Sequence, residues 1–489
     1  MARPTSLARR ALLAIGLMVG FYVLALVISA ALVAVPVLEY RLRGRITFQL
    51  AFACLGSAGA VLWALVPRRD QFTPPGPLLE RARYPRLFAM LDAVAAATGQ
   101  AAPAEVYALN QINAFVTQRG GVMGVGSRRV MGIGLPLVQH LSTAELTAVI
   151  GHEFGHYDSG DVALGPWIYK TRAAIGRTID GVQERQWLAR PFEWYGHLFL
   201  RLTYAISRQQ EFVADAIGAR VGGRAAMASA LERVAVLAPA YDTYLQQYIG
   251  PAVNVGRLPP LLDGFTRFLH ADANRAWLAE VAALESTFGE RSAYDTHPPL
   301  QDRIGALDAG PAGGAGASVD PPAATLVPDA DALVQQMIAT AVQAHGGDTL
   351  TSLAWDELGM VVILPAWRQT LTHLQGWFAD HRRGPAEQPR GPARLATPMA
   401  RAQFATAADE TTTELLTGFL TAALGVTLAD RGWRLHASPG EPTVLRLGDQ
   451  TEVPLQWATD LVSGVCTPDA WRATCDRRGL TGAPLVPAS

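Results

Sequence analysis

Two uncharged apolar runs at the N-terminus constrain this chain most. They cover residues 11–38 and 46–66, and only a short arginine-rich stretch separates them. At 1.5 Å per residue, the first run forms a helix of about 42 Å, more than the roughly 30 Å of a bilayer's hydrocarbon core. A cleavable signal peptide has a shorter apolar core and no second run directly after it. The sequence therefore predicts a membrane anchor over 1–69 with two transmembrane helices.

Arginines around the two runs bear on the orientation of this anchor. Eight arginines flank its outer ends (Arg3, Arg9, Arg10, Arg68, Arg69, Arg81, Arg83 and Arg86), and Arg41, Arg43 and Arg45 lie in the loop. Because positive charge favours the cytoplasmic side, both ends are expected there, although three arginines are many for an exported loop. We expect a two-span protein of a bacterial-type inner membrane, with the following domain in the cytoplasm.

Overall charge and cysteine content exclude some functions. The chain has 41 basic and 42 acidic residues for a net charge of −1, so it has no global positive field to hold nucleic acid. Its cysteines are Cys54, Cys466 and Cys475, and the spacing of the last two does not match a zinc ribbon. Those two can form a disulfide or remain thiols, and a cytoplasmic location favours thiols.

Composition and periodicity divide the rest of the chain. Residues 70–307 alternate helical patterns with short strand-like runs at 105–109, 114–118, 122–125 and 130–133, which predict a small meander sheet among helices. Residues 308–331 are rich in Pro, Gly and Ala and predict a linker. Residues 332–489 are expected to form a separate α/β or α+β domain whose role the sequence does not assign. The predicted fold class is α+β.

The motif with the clearest chemistry is His152-Glu153-Phe154-Gly155-His156. The box Ser142-Thr143-Ala144-Glu145 predicts the start of its helix, and a spacing of four places both imidazoles on one face, where they can share a metal ion. Glu153 is then the candidate general base for a metal-bound water. The alternative is a buried helix whose histidines hydrogen-bond locally.

Glu211 is the best candidate for a third ligand, since a catalytic zinc ion takes three protein ligands. It lies near the end of a helix rich in aromatic residues, and Asp215 follows one turn later on the same face. An acid at that position can accept the free N–H of a ligating histidine and fix its orientation. The alternative is an ordinary pair of acids on a solvated helix face.

These residues resemble the zinc metallopeptidases of the HtpX and CAAX prenyl endopeptidase group, within the gluzincins. Four stretches carry the resemblance: Asn113-Ala114-Phe115, the helix through His156, the segment from Ser207 to Asp215, and Thr296-His297-Pro298-Pro299 with Arg303. The resemblance implies a mainly helical gluzincin-like domain that binds one Zn²⁺ through His152, His156 and Glu211, with Glu153 activating water and Asp215 supporting a ligand. It also implies that Asn113, Ala114 and Phe115 pair with extended substrate and that His297 stabilises the oxyanion. A solvent-facing histidine in a rigid loop is the alternative for His297.

The chain departs from this group between the motif and the third ligand. HtpX proteins usually carry further membrane spans there, whereas residues 157–210 of this chain include Lys170, Arg172, Arg177, Asp180 and Glu184. Such a segment cannot cross a bilayer as a continuous apolar helix. We therefore expect only two spans and no enclosed chamber for CAAX substrates.

The sequence hypothesis is a membrane-anchored zinc endopeptidase whose partners are the lipid bilayer and protein or peptide substrates, including misfolded membrane proteins. The alternative is a catalytically inactive membrane scaffold that retains the fold. A structural zinc domain requires a closed four-ligand site, for which no fourth Cys or His is positioned. The sequence indicates no oligomeric state.

Overall fold

The structure is a computed structural model that describes residues 4–66, 72–119, 128–158, 165–182, 186–287, 298–308, 320–380, 410–478 and 480. The chain forms two compact units. The first comprises Met1–Leu237 and Ala282–Pro328, and the second comprises Ala238–Val281 and Asp329–Ser489. The predicted strand at 122–125, the oxyanion candidate His297 and much of the predicted linker lie outside the described residues. The predicted functional division into anchor, peptidase domain and C-terminal domain stays a prediction.

Helices make up most of the described structure. In chain order they are α1 (Pro4–Arg43), α2 (Phe48–Leu65), α3 (Pro85–Thr98), α4 (Leu135–His140), α5 (Thr143–Asp158), α6 (Gly165–Val182), α7 (Gln186–Gly222), α8 (Arg224–Tyr244), α9 (Gly250–Asn254), α10 (Leu261–His270), α11 (Arg275–Thr287), α12 (Leu300–Asp308), α13 (Ala330–Ala344), α14 (Leu364–Asp380), α15 (Glu410–Ala429), α16 (Pro454–Val462) and α17 (Pro468–Arg477). Single π-helical turns cover Leu245–Ile249 and Gly359–Ile363, and short 3₁₀ turns cover Asp272–Asn274, Ala323–Leu326 and Trp355–Glu357.

The two N-terminal apolar runs form the helices α1 and α2. Both are long and apolar enough to cross a membrane. Phe48 and Phe52 of α2 are more than 80% exposed, as side chains that face lipid would be. The turn between the helices uses Gly44 at φ +66°, a left-handed conformation that glycine adopts without steric cost.

The small sheet of the first unit is not the meander that the sequence pattern predicted. Its strands are β1 (Glu105–Leu109), β2 (Ala114–Arg119) and β3 (Arg128–Gly134), in the order β1-β3-β2. Strand β3 pairs in parallel with β1 and antiparallel with β2, so it lies between two strands that are consecutive in the chain. A meander requires consecutive strands to be neighbours. Alternation in the sequence identifies strands but not their partners, which here are set by non-local backbone bonds.

The first unit is centred on the close packing of α5 against α7. Small residues line the contact: Ala148, Gly151 and Gly155 on α5 face Ala214, Gly218 and Gly222 on α7. A Cβ at Gly155 would lie 2.7 Å from the Ala214 Cα, and one at Gly218 would lie 2.6 Å from the Ala148 carbonyl oxygen. The two backbones can approach this closely only because these side chains are absent or small.

The start of α5 matches the predicted capping box. The Ser142 hydroxyl accepts a hydrogen bond from the Glu145 backbone N–H at 3.2 Å, and the Glu145 carboxylate accepts one from the Ser142 backbone N–H at 2.8 Å. Glu145 also accepts a 2.6 Å hydrogen bond from the Ser229 hydroxyl. These bonds satisfy N–H groups that a helix start leaves without intrahelical partners.

Two hydrophobic clusters are present among the described residues of the second unit. An aromatic cluster joins Tyr241, Tyr244 and Phe265 to Trp355, whose indole N–H donates to the Pro260 carbonyl oxygen at 3.2 Å. A second core surrounds the buried face of α15. The unit's strands are β4 (Arg257–Leu258), β5 (Thr351–Ser352), β6 (Arg434–His436), β7 (Val444–Leu447) and β8 (Gln450–Glu452).

Cysteines of the second unit are thiols in this structure. Cys466 is partly buried and Cys475 is fully buried in the core around α15. Burial, with a smaller contribution from the neighbouring Asp476 carboxylate, raises the pKa of Cys475 to about 12. The Cys475 thiol therefore stays protonated at neutral pH.

Candidate metal centre

Helices α5 and α7 bring three possible metal ligands together. One nitrogen of His152, one nitrogen of His156 and one carboxylate oxygen of Glu211 lie within 4.8 Å of one another. His152 and Glu211 are buried, whereas the His156 side chain is about one-third exposed. The site is thus enclosed on the α7 side and open on the side of His156.

Distances between these atoms suit a tetrahedral zinc site. The two Nε2 atoms of His152 and His156 are 3.1 Å apart, and they lie 3.7 Å and 3.6 Å from the Glu211 carboxylate oxygens. Ligands at about 2.0–2.1 Å from one tetrahedral ion would be separated by about 3.4 Å. The donor set of two imidazoles and one carboxylate is also that of a catalytic zinc site with an open fourth position.

Asp215 orients His152 from behind. Its Oδ1 atom lies 2.9 Å from His152 Nδ1, so this nitrogen carries the proton and Nε2 faces Glu211 with its lone pair. Asp215 lies one helical turn after Glu211 on α7 and is 1% exposed. The ligand and its orienting carboxylate therefore project from the same helix face.

Arg303 of α12 pairs with Asp215. Its Nε and Nη2 atoms donate to Asp215 Oδ2 and Oδ1 at 2.8 Å and 2.6 Å, and Nη2 lies 3.5 Å from Glu211 Oε2. Burial alone would raise the pKa of Asp215, but the hydrogen bonds from Arg303 and His152 lower this pKa to about 2. Asp215 is therefore a carboxylate throughout the neutral range.

Glu153, the candidate general base, lies between the two histidines on α5 and is half-buried. Its position one residue after His152 directs it away from the α5–α7 contact, where the neighbouring glycines lie. Burial lowers the pKa of Arg303, but the carboxylates of Asp215, Glu211 and, more weakly, Glu153 raise it above its ordinary value. The Glu153 carboxylate therefore lies near the metal-ligand cluster.

The predicted substrate-binding residues lie at the start of an outer strand of the described sheet. Strand β2 begins at Ala114 and, among the residues that the structure describes, pairs with β3 alone, so its other side is an edge of this sheet. Asn113 precedes the strand, and its carbonyl oxygen accepts a hydrogen bond from the Gly134 N–H at 2.8 Å. Phe115 packs over Gly132, where a Cβ would lie 2.5 Å from the Phe115 ring. These contacts fix the start of the edge strand, which itself contacts α5.

Sequence reasoning missed two contacts that support this centre. It gave no role to Arg303, which it named only as part of a stretch that carries the family resemblance, and it did not single out Gln100. The Gln100 amide donates to the Phe154 carbonyl oxygen at 2.7 Å and accepts from Arg129 Nη1 at 3.0 Å, which ties the helix between its two histidines to strand β3. No local pattern marks Gln100, since its partner lies 54 residues away.

Comparison with known proteins places the centre inside a recognised region. The family model for Peptidase family M48 matches residues 81–310. A protein named Protease HtpX from Alkalilimnicola ehrlichii is 27% identical over 226 residues, which is 42% of this chain and 62% of that protein. One from Xanthomonas oryzae pv. oryzae is 31% identical over 153 residues, or 27% of this chain and 50% of that protein. A Protease HtpX homolog from Thiobacillus denitrificans is 27% identical over 217 residues, covering 41% and 62% of the two chains.

The match thus spans 50–62% of the length of these curated relatives. No solved structure matches the chain. The matched residues include both histidines of α5, Glu211, Asp215 and Arg303.

Proposed function

Because residues 81–310 match the model of Peptidase family M48 and the chain resembles proteins named Protease HtpX, we propose that the chain is a membrane-anchored, zinc-dependent endopeptidase. The observation that carries this proposal is the convergence of His152, His156 and Glu211 within 4.8 Å, with Glu153 on the same helix as the two histidines. Two ligands on α5 and one on α7 leave a fourth position for water or substrate.

His152, His156 and Glu211 would hold one Zn²⁺ ion, with Asp215 keeping His152 in the tautomer that presents Nε2. When bound, zinc supplies Lewis-acid chemistry that lowers the pKa of water and polarises a peptide carbonyl group. Glu153 accepts a proton from the attacking water and delivers it to the leaving amine, which is general base and then general acid catalysis. His297, in the role that the family resemblance implies, stabilises the negative charge that develops on the carbonyl oxygen.

The open edge of β2 supplies a means of holding substrate. An extended peptide can add to this edge through backbone hydrogen bonds, with Asn113, Ala114 and Phe115 at the point where it enters. Backbone pairing recognises the extended conformation of a segment and does not require a particular side chain. We therefore propose protein substrates with accessible extended segments, including misfolded proteins at the membrane.

Helices α1 and α2 supply the membrane attachment in this proposal. The larger number of arginines at the outer ends of the anchor favours a cytoplasmic peptidase domain in a bacterial-type inner membrane.

The decisive experiment compares wild type with Glu153→Gln in detergent, using unfolded casein as substrate and metal analysis on both proteins. Removal of the general base should lower the cleavage rate by about 10²–10⁴-fold while zinc content is unchanged. Glu193→Gln is the matched control, because Glu193 is an exposed glutamate on α7, far along that helix from Glu211. Equal cleavage by wild type and Glu153→Gln would reject the mechanism, and absence of cleavage by wild type would favour an inactive scaffold.

A further inference from the structure

The helices of the membrane hairpin differ in length. Helix α1 has 40 residues and is about 60 Å long, whereas α2 has 18 residues and is about 27 Å long. The hydrocarbon core of a bilayer is about 30 Å thick. Helix α2 therefore matches the bilayer, and it has arginines shortly before it and shortly after it in the sequence.

Contacts at the turn fix the level of α2 against α1. The Glu39 carboxylate accepts hydrogen bonds from the Thr47 backbone N–H at 3.1 Å and from the Thr47 hydroxyl at 2.6 Å. The start of α2 is thus level with Glu39. Counting the 18 residues of α2 back along α1 places its end beside residue 21 or so, and α1 continues beyond that level for about 25 Å.

Helices α6 and α7 pack on α1 and α2 at this level. Arg177 Nε of α6 donates to the Ala64 carbonyl oxygen, at the end of α2, at 3.4 Å. On α7, the Phe192 ring lies 6.4 Å from the Phe21 ring, and the Tyr195 hydroxyl donates to the Leu17 carbonyl oxygen at 2.6 Å. Tyr195, three residues further along α7, contacts both the Phe21 ring, at 6.2 Å, and Leu17. Helix α7 thus advances towards the start of α1, and the two helices run antiparallel.

Charged and aromatic residues mark this level as the membrane boundary. Arg190, Glu193 and Arg201 lie on the exposed side of α7, which excludes that part of α7 from the hydrocarbon core. Trp63 near the end of α2 is 68% exposed, and Trp194 of α7 is 66% exposed. Tryptophan concentrates where hydrocarbon meets headgroups.

Helix α7 runs without interruption from this boundary to the metal centre. Phe192 and Glu211 are 19 residues apart on it, a distance of about 28 Å along the helix axis. Resting on the proposed function, we infer that α7 is a spacer that holds the metal centre about 28 Å from the bilayer, so that membrane-anchored substrates are cut only at bonds some distance from their anchor. An extended peptide covers about 3.3 Å per residue, so the first accessible bond lies about eight residues from the anchor.

The boundary itself is tested by cysteine labelling in nanodiscs, in a Cys466→Ser background. Leu13→Cys and Val33→Cys form a matched pair, because these α1 residues are 46% and 42% exposed and lie on either side of the inferred boundary. A membrane-impermeant maleimide should label Leu13→Cys at least tenfold faster than Val33→Cys, and both should react equally after denaturation. Equal rates in nanodiscs, or faster labelling of Val33→Cys, would overturn the boundary, and neither result depends on activity.

The spacing is tested with a single-span substrate that carries an unstructured tether of repeated sequence. The substrate is reconstituted with the full-length enzyme, and mass spectrometry maps the cleaved bonds. Cleavage should begin about eight residues from the span, whereas the same tether without the span should be cut along its whole length. Cleavage directly beside the span would overturn the spacer, while failure to cut the free tether would count against the proposed function instead.

Discussion

At the scale of single residues, the candidate metal centre depends on a series of contacts behind its possible ligands. His152 is oriented by Asp215, which is in turn held by both nitrogens of the Arg303 fork. Asp215 is buried and the Arg303 side chain is 11% exposed, so this ion pair has little solvent to screen it, and Glu211 lies 3.5 Å from the same arginine. Removing one of the two side chains leaves the other charge largely buried. This lowers the free energy of unfolding far more than the loss of a surface ion pair does.

Replacing Arg303 should therefore weaken metal binding without touching a ligand. We expect Arg303→Met to lower zinc affinity by about 10–100-fold, since a ligand's supporting contacts contribute on that scale. A competition titration with a fluorescent chelator measures this zinc affinity. Arg208→Met is the control on the same helix pair, because Arg208 binds the exposed Asp302 carboxylate at 2.9 Å, and it should change affinity by less than about twofold. Unchanged affinity in Arg303→Met would show that Asp215 orients His152 without this arginine.

Residue patterns predicted which side chains converge at the candidate metal centre better than they predicted the contacts that support these side chains. The spacing of His152 and His156 follows from helix geometry, and Asp215 follows Glu211 by one turn, so all four lie on faces that local periodicity defines. Arg303 is 88 residues from Asp215 and Gln100 is 54 residues from Phe154. Contacts of that range depend on the tertiary fold, and no local period encodes them.

At the scale of elements, the α5–α7 contact sets the distance between the histidines and Glu211. Glycine in the middle of a helix normally reduces stability relative to alanine by about 1 kcal/mol. Gly218 reverses this preference, because its added Cβ would lie 2.6 Å from the Ala148 carbonyl oxygen on α5.

We expect Gly218→Ala to destabilise the protein by about 1–3 kcal/mol through overpacking. The matched change Gly176→Ala on α6 places its Cβ in open space and should be neutral or stabilising by up to about 1 kcal/mol. Thermal unfolding in detergent, followed by circular dichroism, distinguishes the two. An unfolding midpoint for Gly218→Ala equal to that of Gly176→Ala would contradict the close approach of the helices.

The sequence predicts the start of a helix where neighbouring residues form the hydrogen bonds that cap it. The Ser142–Glu145 box marks the start of α5, and both of its hydrogen bonds are present. The order of the small sheet was not predictable from alternation, since β3 enters between β1 and β2 through pairing with distant backbone groups.

At the scale of the whole molecule, the second unit draws on two separate parts of the chain. Residues 238–281 contribute Tyr241, Tyr244 and Phe265, and residues 329–489 contribute Trp355. Asp331 also accepts a 2.7 Å hydrogen bond from the Leu262 N–H. A Pro/Gly-rich stretch in the sequence predicts a linker, but it does not predict which earlier helices pack with the residues after it.

Truncation after Pro328 should therefore expose the aromatic cluster instead of releasing an intact peptidase domain. We expect the shortened protein to aggregate in detergent, because the side chains that cover Tyr244 and Phe265 are removed. Trp355→Ala in the full chain is the milder comparison. We expect it to lower the free energy of unfolding by about 3–5 kcal/mol and to leave the protein monodisperse. Size-exclusion chromatography and thermal unfolding provide the measurements, and a monodisperse truncated protein with unchanged unfolding would contradict this account.

The glycine-lined contact between α5 and α7 also has a consequence for engineering the protein. Both histidines, Glu211 and Asp215 are carried by two helices whose mutual position is fixed by their own backbones. The distance between the histidines and Glu211 is therefore set by the contact itself and not by the polarity of α6, which lies between the two helices in the chain. Charge changes on α6 can leave that distance unchanged, whereas larger side chains at Gly155 or Gly218 would push the two helices apart.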